Sequence, residues 1–593
     1  MAAINAQGVY HRLPSQAASD YQQAESTILS AAHKDWPNEA GFETPEHRGP
    51  IPLTIKGSIP DFAAGALYRT GPGRHKLDGM ANGKTHYVSH WFDGFAHTHK
   101  FDILSHGEGK PTTVEYSSRR NGEEYAERVR QKGWRSAVTV GQKSDPCVGI
   151  FAKTMSVFQP LPRHDLDYNV VVNADYPALT QRKAEAEEAV TLGHQRTGTR
   201  NLFISSDQSG LQELDPDTLE TVGYSGQNKL HPDLDGELSA SHGQRDPKTG
   251  DLYNFNLRLG PRPTYRVFRT SASTGETDIL ATISGKDAPP AYIHSTFLTE
   301  NYFVLALPST HFAWNGIKIA WSRTLLDGMV PFSEDQKTQW FVVDRRNGKG
   351  VVARFTTPAG FFFHSINAFE ETVTSPDSGQ EQTSILADLS AYDSPDIIHS
   401  FYYDVMLDRE DSFSKFWHDE TRRRNALANI RRFRFSLLPT QCANPPTWTY
   451  TPSDPIHEAE LILDIKNPHA GELPTINPLY ATKPTRYVYS LAFRGLGTIM
   501  DCIVKTDLKT KEAIIWAGGK GSHPGEPIFV PRPGAEDEDD GVLLSVVLDG
   551  EHERSFLLCL EAKTMEELGR AELEFAVGCG FHGLHLPEVR KLK

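Results

Sequence analysis

"LDPDTLETVG", residues 214–223, places an acidic residue before a short polar run ending in threonine, then returns into a β-prone segment. Asp and Asn side chains cap such turns by accepting from nearby backbone N–H groups, and glycine supplies positive φ where it is needed. The shape recurs in "RDPKTGDLYNF" from Arg245, "TSASTGETDIL" from Thr270, "VDRRNGKGVV" from Val343, "TDLKTKEAII" from Thr506 and "LEAKTMEELG" from Leu560. Each copy reads as a hairpin between two strands. Copies spread over most of a long chain, with no helix regularly between them, predict a β-propeller. Their irregular spacing leaves a large β-sandwich as the alternative.

The chain has 593 residues, of which 38% are hydrophobic and 23% charged, a composition that supports a packed core. A net charge of −15 argues against a general nucleic-acid binder. The first residues, "MAAINAQGVYHRLPSQAASD", lack a basic region followed by an apolar run, so no secretory signal is expected. No stretch reaches the roughly 18 apolar residues of a spanning helix. Cys147, Cys442, Cys502, Cys559 and Cys579 are unclustered, which suits a reduced, cytoplasmic protein.

Residues 1–45 read as a peripheral segment with one helical stretch, "SQAASDYQQAESTILSAAHKDW", and residues 46–593 as a single β domain. Two interruptions, 123–135 and 414–433, have helical character and are expected on one face above the blades. The six arginines of "TRRRNALANIRRFRF" (421–435) read as a solvated helix face paired with acids, and "AEDEDDG" (535–541) as a solvated acidic hairpin. The apolar stretch 302–332 holds a blade strand, and its part from Trp314 to Phe332 suits the apolar mouth of a ligand tunnel. A peripheral membrane contact there would need no spanning helix.

Of 24 histidines, four border strand-like apolar segments: His242, His294, His364 and His582. They lie 52, 70 and 218 residues apart, unlike the close spacing of a helical metal site. A propeller would bring them together, because the inner strands of different blades meet at its axis. Four neutral imidazoles suit iron, zinc or copper.

The sequence resembles the carotenoid cleavage oxygenases, an iron(II)-dependent family, over roughly residues 50–590. The resemblance is carried in order by "GALYRTGPG", "HWFDGFAHTHKF" (90–101), "SHGQRDPKTGDLY", "IHSTFLTENYFV", "FFFHSINAFEE", "GELPTINPLYATKPTRYVY" (471–489), "GEPIFVPRPGAEDEDDGVLLS" (525–545) and "GFHGLH". It implies a seven-bladed propeller with a helical and loop dome over the metal face. It also implies one Fe(2+) per chain on His242, His294, His364 and His582, which are then the catalytic residues. His90, His97 and His99 are assigned packing roles.

Imidazoles that bind a metal are commonly oriented by carboxylates. The resemblance gives Glu472 to His364 and Glu526 to His582. The third acidic position, commonly Glu in the family, falls here on Asp207, as partner of His294, with Glu213 as a second candidate. Asp is shorter by one C–C bond, ~1.5 Å, so a closer backbone or a bridging water is expected.

The activity implied is O2-dependent cleavage of one conjugated C=C bond of a polyene to two carbonyls. Stilbene-cleaving relatives place a lysine before the first carboxylate, where this chain has Ser206. That favours a carotenoid, and the wording is nearest to fungal members, which points to torulene or an apocarotenoid. A stilbene-cleaving enzyme, a retinoid isomerohydrolase of the same fold and a non-catalytic propeller that binds apolar ligands are the competing readings.

Overall fold

The computed structural model describes residues 7–30, 40–107, 109–143, 167–180, 196–374, 381–437 and 456–589. Seven antiparallel blades follow one another along the chain. From the axis outward, blade 1 is Gly583–Pro587, Gly65–Arg74, Phe95–Leu104 and Thr113–Arg120. Blade 2 is Val171–Ala174, Leu202–Ser205, Gly210–Leu214 and Thr221–Gly226. Blade 3 is Gln244–Arg245, Leu252–Arg258, Thr264–Thr270 and Thr277–Ser284, and blade 4 is Phe297–Leu298, Tyr302–Leu307, Thr338–Asp344 and Val351–Thr357. Blade 5 is Phe361–Thr374, Glu381–Tyr392, Asn429–Ser436 and Glu460–Ile465, and blade 6 is Glu472–Thr475, Tyr487–Ala492, Cys502–Asp507 and Ala513–Ala517. Blade 7 is Ile528–Pro531, Gly541–Asp549, Arg554–Glu561 and Glu567–Glu572.

The recurring turn is the outer hairpin of blades 2, 3, 4, 6 and 7, and also the inner hairpin of blade 3. Its mechanism repeats. Asp215 accepts from the N–H groups of Asp217 and Thr218, Asp246 from Lys248 and Thr249, Asp344 from Arg346 and Asn347, and Asp507 from Lys509 and Thr510. An up-and-down blade puts its first-to-second and third-to-fourth turns at the same end. The side-chain-capped turns therefore gather on the face away from the starts of the inner strands, and leave that second face free for longer segments.

Blade 1 joins an early and a late segment of the chain: Gly583–Pro587 pairs with Gly65–Arg74. A second stitch reinforces the closure. In the strand Ile51–Gly57, Ile51 to Leu53 pair with blade 1, and Thr54 to Gly57 with blade 7. Ahead of it, Gly8–Arg12 adds an outer fifth strand to blade 6, and the helix Ala17–Leu29 buries Ala24 and Ile28.

Adjacent blades pack face to face, so most strands are buried on both sides. That explains continuous apolar runs such as Val542 to Leu544 and Val546 to Leu548, where an alternating pattern would mark a half-exposed strand. Between blades 4 and 5 the seam is aromatic: Trp340 packs among Phe297, Phe362, Phe433 and Phe435, and donates its indole N–H to Thr357 Oγ1 at 3.0 Å.

Short helices and loops cover the site face, among them Glu123–Lys132, Ile317–Ser322, Leu325–Gly328, Asp396–Ser400, Ser412–Trp417 and Glu420–Asn425. The helix expected over 414–433 is broken. After Asn425 the chain turns into the blade 5 strand Asn429–Ser436, which buries Ile430, Phe433 and Phe435 and turns arginines outward. Their acids are paired as expected, but from a strand: Arg431 with Asp393, Arg432 with Asp388, and Arg434 with Glu460. The acidic hairpin also differs at one residue. Asp539 turns inward and binds Lys505 Nζ at 2.6 Å, both side chains being buried.

Trp340→Ala should destabilise the fold by about 3–5 kcal/mol, read as a lowered melting temperature, with Trp340→Phe milder. An unchanged melting temperature in the alanine variant would show that this seam does not bind blades 4 and 5.

Candidate metal centre

Each inner strand begins near the axis, and each blade delivers one polar side chain there. Blade 1 brings His582, blade 3 His242, blade 4 His294 and blade 5 His364; blade 2 brings Asp207, blade 6 Glu472 and blade 7 Glu526. Six of the seven sit just before or within an inner strand. Asp207 instead comes from the turn between the second and third strands of blade 2, which reaches the same face.

One nitrogen from each of the four histidines lies within 4.8 Å of the others. His582 Nε2 is 3.0 Å from His242 Nε2 and 3.1 Å from His364 Nε2. The other ring nitrogen of three imidazoles is engaged. His294 Nδ1–H donates to Asp207, 2.9 Å from either oxygen, His364 Nδ1–H donates to Glu472, and His582 Nδ1–H donates to Glu526 Oε1 at 2.8 Å. A neutral imidazole that donates from Nδ1 has only a lone pair at Nε2. Three of the converging nitrogens are therefore electron-pair donors, whose mutual repulsion a cation between them would relieve. Three such donors, with the His242 imidazole as a fourth, fit a borderline divalent metal ion.

Burial, together with the neighbouring imidazoles, holds the pKa values of His242 and His582 well below the ordinary histidine range, which keeps both rings neutral. Burial would raise Asp207, but the His294 imidazole and hydrogen bonds from His294, Ser241 and Tyr292 outweigh it and lower its pKa. Burial pushes Glu526 up to about 7, against the pull of the Gly583 N–H, His364 and Arg69.

Asp207 reaches His294 directly, with no gap to bridge. Its carboxylate also accepts from the Ser241 hydroxyl, the Ser241 N–H at 3.2 Å and the Tyr292 hydroxyl at 2.7 Å. Ser241 and Tyr292 were not singled out from the sequence. The available signal was parity: Tyr292 stands two residues before His294, so in extended chain both side chains point the same way. Glu213 lies elsewhere, accepting from Asn201 Nδ2 at 2.8 Å. His242 has no carboxylate partner among the described residues; its backbone N–H donates to the His294 carbonyl at 3.3 Å.

The other motif histidines are outside the cluster. His90 Nε2–H donates to the Ile398 carbonyl at 2.8 Å, while its Nδ1 accepts from the Phe92 N–H. His97 and His99 bond Thr44 Oγ1 and Tyr116 OH. Above the cluster lies a largely apolar cavity. His294, His364 and His582 form part of its floor, and Trp91, Phe92, Val138, Leu325, Phe401 and Phe581 much of its wall. Ser206 also lines it, and is buried.

The chain matches, over residues 42–587, the family described as retinal pigment epithelial membrane protein, RPE65. It belongs to that family, the carotenoid cleavage oxygenases of the resemblance above. It is 52% identical over 590 residues to a protein of Fusarium fujikuroi named torulene dioxygenase, covering 99% of this chain and 100% of the relative. It is 48% identical to a carotenoid dioxygenase of Neurospora crassa, with 97% and 95% covered. A cobalt-substituted structure of the Synechocystis protein ACO has the same fold, with a TM-score of 0.64 at 21% identity, covering 93% of this chain and 98% of that one.

Asp207→Ala should lower retention of a divalent metal by roughly 10–100-fold, the usual cost of losing a carboxylate behind a ligating histidine, and Asp207→Asn by less. Asp207→Glu should also weaken retention, because the pocket already holds four contacts and an added methylene must displace them. Metal content after dialysis is the measure. A damaging Glu213→Ala beside a silent Asp207→Ala would reassign the carboxylate.

Proposed function

We propose that the protein is an iron(II)-dependent dioxygenase that cleaves one conjugated C=C bond of a carotenoid, adding both atoms of O2 to give two carbonyl products. The observation that carries this reading is the four-histidine cluster beneath an apolar cavity, in a chain 52% identical to a torulene dioxygenase. His242, His294, His364 and His582 would hold the iron through Nε2, with Asp207, Glu472 and Glu526 orienting three of the rings. Bound there, iron(II) would supply electron density and open coordination positions for O2 activation.

The chain's own part is to place and protect. The carboxylates fix ring orientation and tautomer by taking the Nδ1 protons. Trp91, Phe92, Phe401 and Phe581 hold the polyene without hydrogen bonds, so shape decides which double bond lies over the histidines. The same walls keep water from the reacting bond. No side-chain acid or nucleophile is required by this stoichiometry.

Torulene or an apocarotenoid is the substrate this reading favours. Ser206, on the cavity wall, offers a small hydroxyl where a phenol-binding lysine would mark a stilbene cleaver. Exposed Trp314 and Ile317, 63% and 42% exposed, stand close in sequence to the wall residue Leu325, and support a peripheral contact with the membrane in which such substrates dissolve. Among the described residues no helix is long and apolar enough to cross a membrane.

Expression in carotenoid-accumulating bacteria, with products identified by mass, tests the activity: two aldehyde-terminated fragments are expected, and an intact carotenoid pool would refute it. His364→Ala should abolish cleavage and iron binding, from one ion per chain, while the far-UV dichroism stays that of the β-fold. In a side-by-side assay, turnover of a C40 carotene should exceed that of resveratrol by at least about tenfold, a difference of about 1.4 kcal/mol in transition-state stabilisation. The reverse preference would favour the stilbene reading.

A further inference from the structure

Arg69 lies on the second strand of blade 1, opposite Gly583 in register, and is 3% exposed. Its Nη2 donates to the Gly580 carbonyl at 2.7 Å and its Nη1 to the Val546 carbonyl at 3.5 Å. The Val546 carbonyl also accepts the Gly525 N–H at 2.9 Å, so Arg69 grips the group that anchors the turn leading into Glu526. Among the described residues no carboxylate forms an ion pair with it. Burial lowers its pKa, against the pull of Cys579 and of Glu526, the partner of His582.

Two glycines make room for the guanidinium. A methyl group on Gly525 would lie 1.9 Å from both terminal nitrogens, and one on Gly580 would lie 2.6 Å from Nε. Gly525 immediately precedes Glu526, and Gly580 stands two residues before His582. The guanidinium is thus flanked by the turn that carries the carboxylate and the loop that carries the histidine. Burying a cation without a counter-ion is costly; filling the space alone would call for an apolar side chain.

We infer that Arg69 is a positioning residue for the metal centre, joining the Glu526 turn of blade 7 to the His582 loop of blade 1 and so setting the distance between that ligand and its carboxylate. This rests on the reading of His582 and Glu526 given above. Arg69 touches neither substrate nor metal, and would act through the two backbone segments it joins.

Cobalt(II) titration of the full-length protein, followed by its visible absorption and by chelator competition, tests the inference. Arg69→Met should weaken cobalt binding by roughly 10–100-fold, the range for losses behind a metal ligand, and should change the visible bands. Arg69→Lys should recover part of the affinity, since one ammonium reaches one carbonyl more easily than two. Gly525→Ala keeps Arg69 but drives its guanidinium out, so it should reproduce Arg69→Met, and it decides the matter if Arg69→Met does not fold. Arg354→Met, which removes another buried guanidinium paired with Asp287 at 3.7 Å, should cost stability without altering the cobalt spectrum. Wild-type affinity and spectrum in both Arg69→Met and Gly525→Ala would overturn the inference, as would an equal spectral change in Arg354→Met. His364→Ala separates the two readings: if it binds cobalt like the wild type, the four-histidine assignment itself fails, whatever Arg69 does.

Discussion

Four imidazole nitrogens pointed at one another within 4.8 Å are the constraint on which the architecture depends. Left to relax, such groups would rotate apart or exchange protons. Each blade answers by holding one member rigidly: four blades present the rings, and three present the carboxylates that lock ring orientation. The propeller suits this task because its inner strands converge on one axis while each blade is braced along both faces. Rigid supports hold ligands in place more accurately than loops do. Blade 2 is the exception, since it reaches the axis through a turn. There the shorter Asp207 is surrounded by Ser241, Tyr292 and His294, and those contacts supply the rigidity that the strand does not.

The fold could be read in the sequence because its turns are chemically repetitive. Asp215, Asp246, Asp344 and Asp507 each cap the following backbone, and that local signal survives without any knowledge of the tertiary structure. The number of blades could not be read from the turns. Blade 5 lacks the turn motif, blade 1 is assembled from distant segments, and Ile51–Gly57 divides its pairing between two sheets. The arginine-rich segment misled for a related reason. Asn429–Ser436 follows directly on a helix, and its helix-compatible arginines hid the buried Ile430, Phe433 and Phe435.

Placement of the site residues followed different signals. The four histidines stood out by their strand-bordering context, but only the ordered motifs joined them into one set. Glu472 and Glu526 came with those motifs. Arg69 and Ser241 lie within those motifs and Tyr292 beside one, but nothing marked their roles, because their importance lies in contacts between blades that no local pattern encodes. Arg69 and Gly580 are 511 residues apart in sequence and 2.7 Å apart in space.

The pairing of Gly583–Pro587 with Gly65–Arg74 also bears on how the molecule is made. A ribosome delivers blades 2 to 7 before it delivers the strand that lies at the centre of blade 1. Until then the growing chain carries an open ring, with the Gly65–Arg74 edge unpaired and three of the four histidines already translated. Contacts so far apart along the chain form slowly, and unpaired edges invite mispairing while they wait. The fourth histidine, His582, arrives immediately ahead of the strand that shuts the circle. A cell must keep that edge from other partners during synthesis, and any metal that needs all four rings can settle only once His582 has been made.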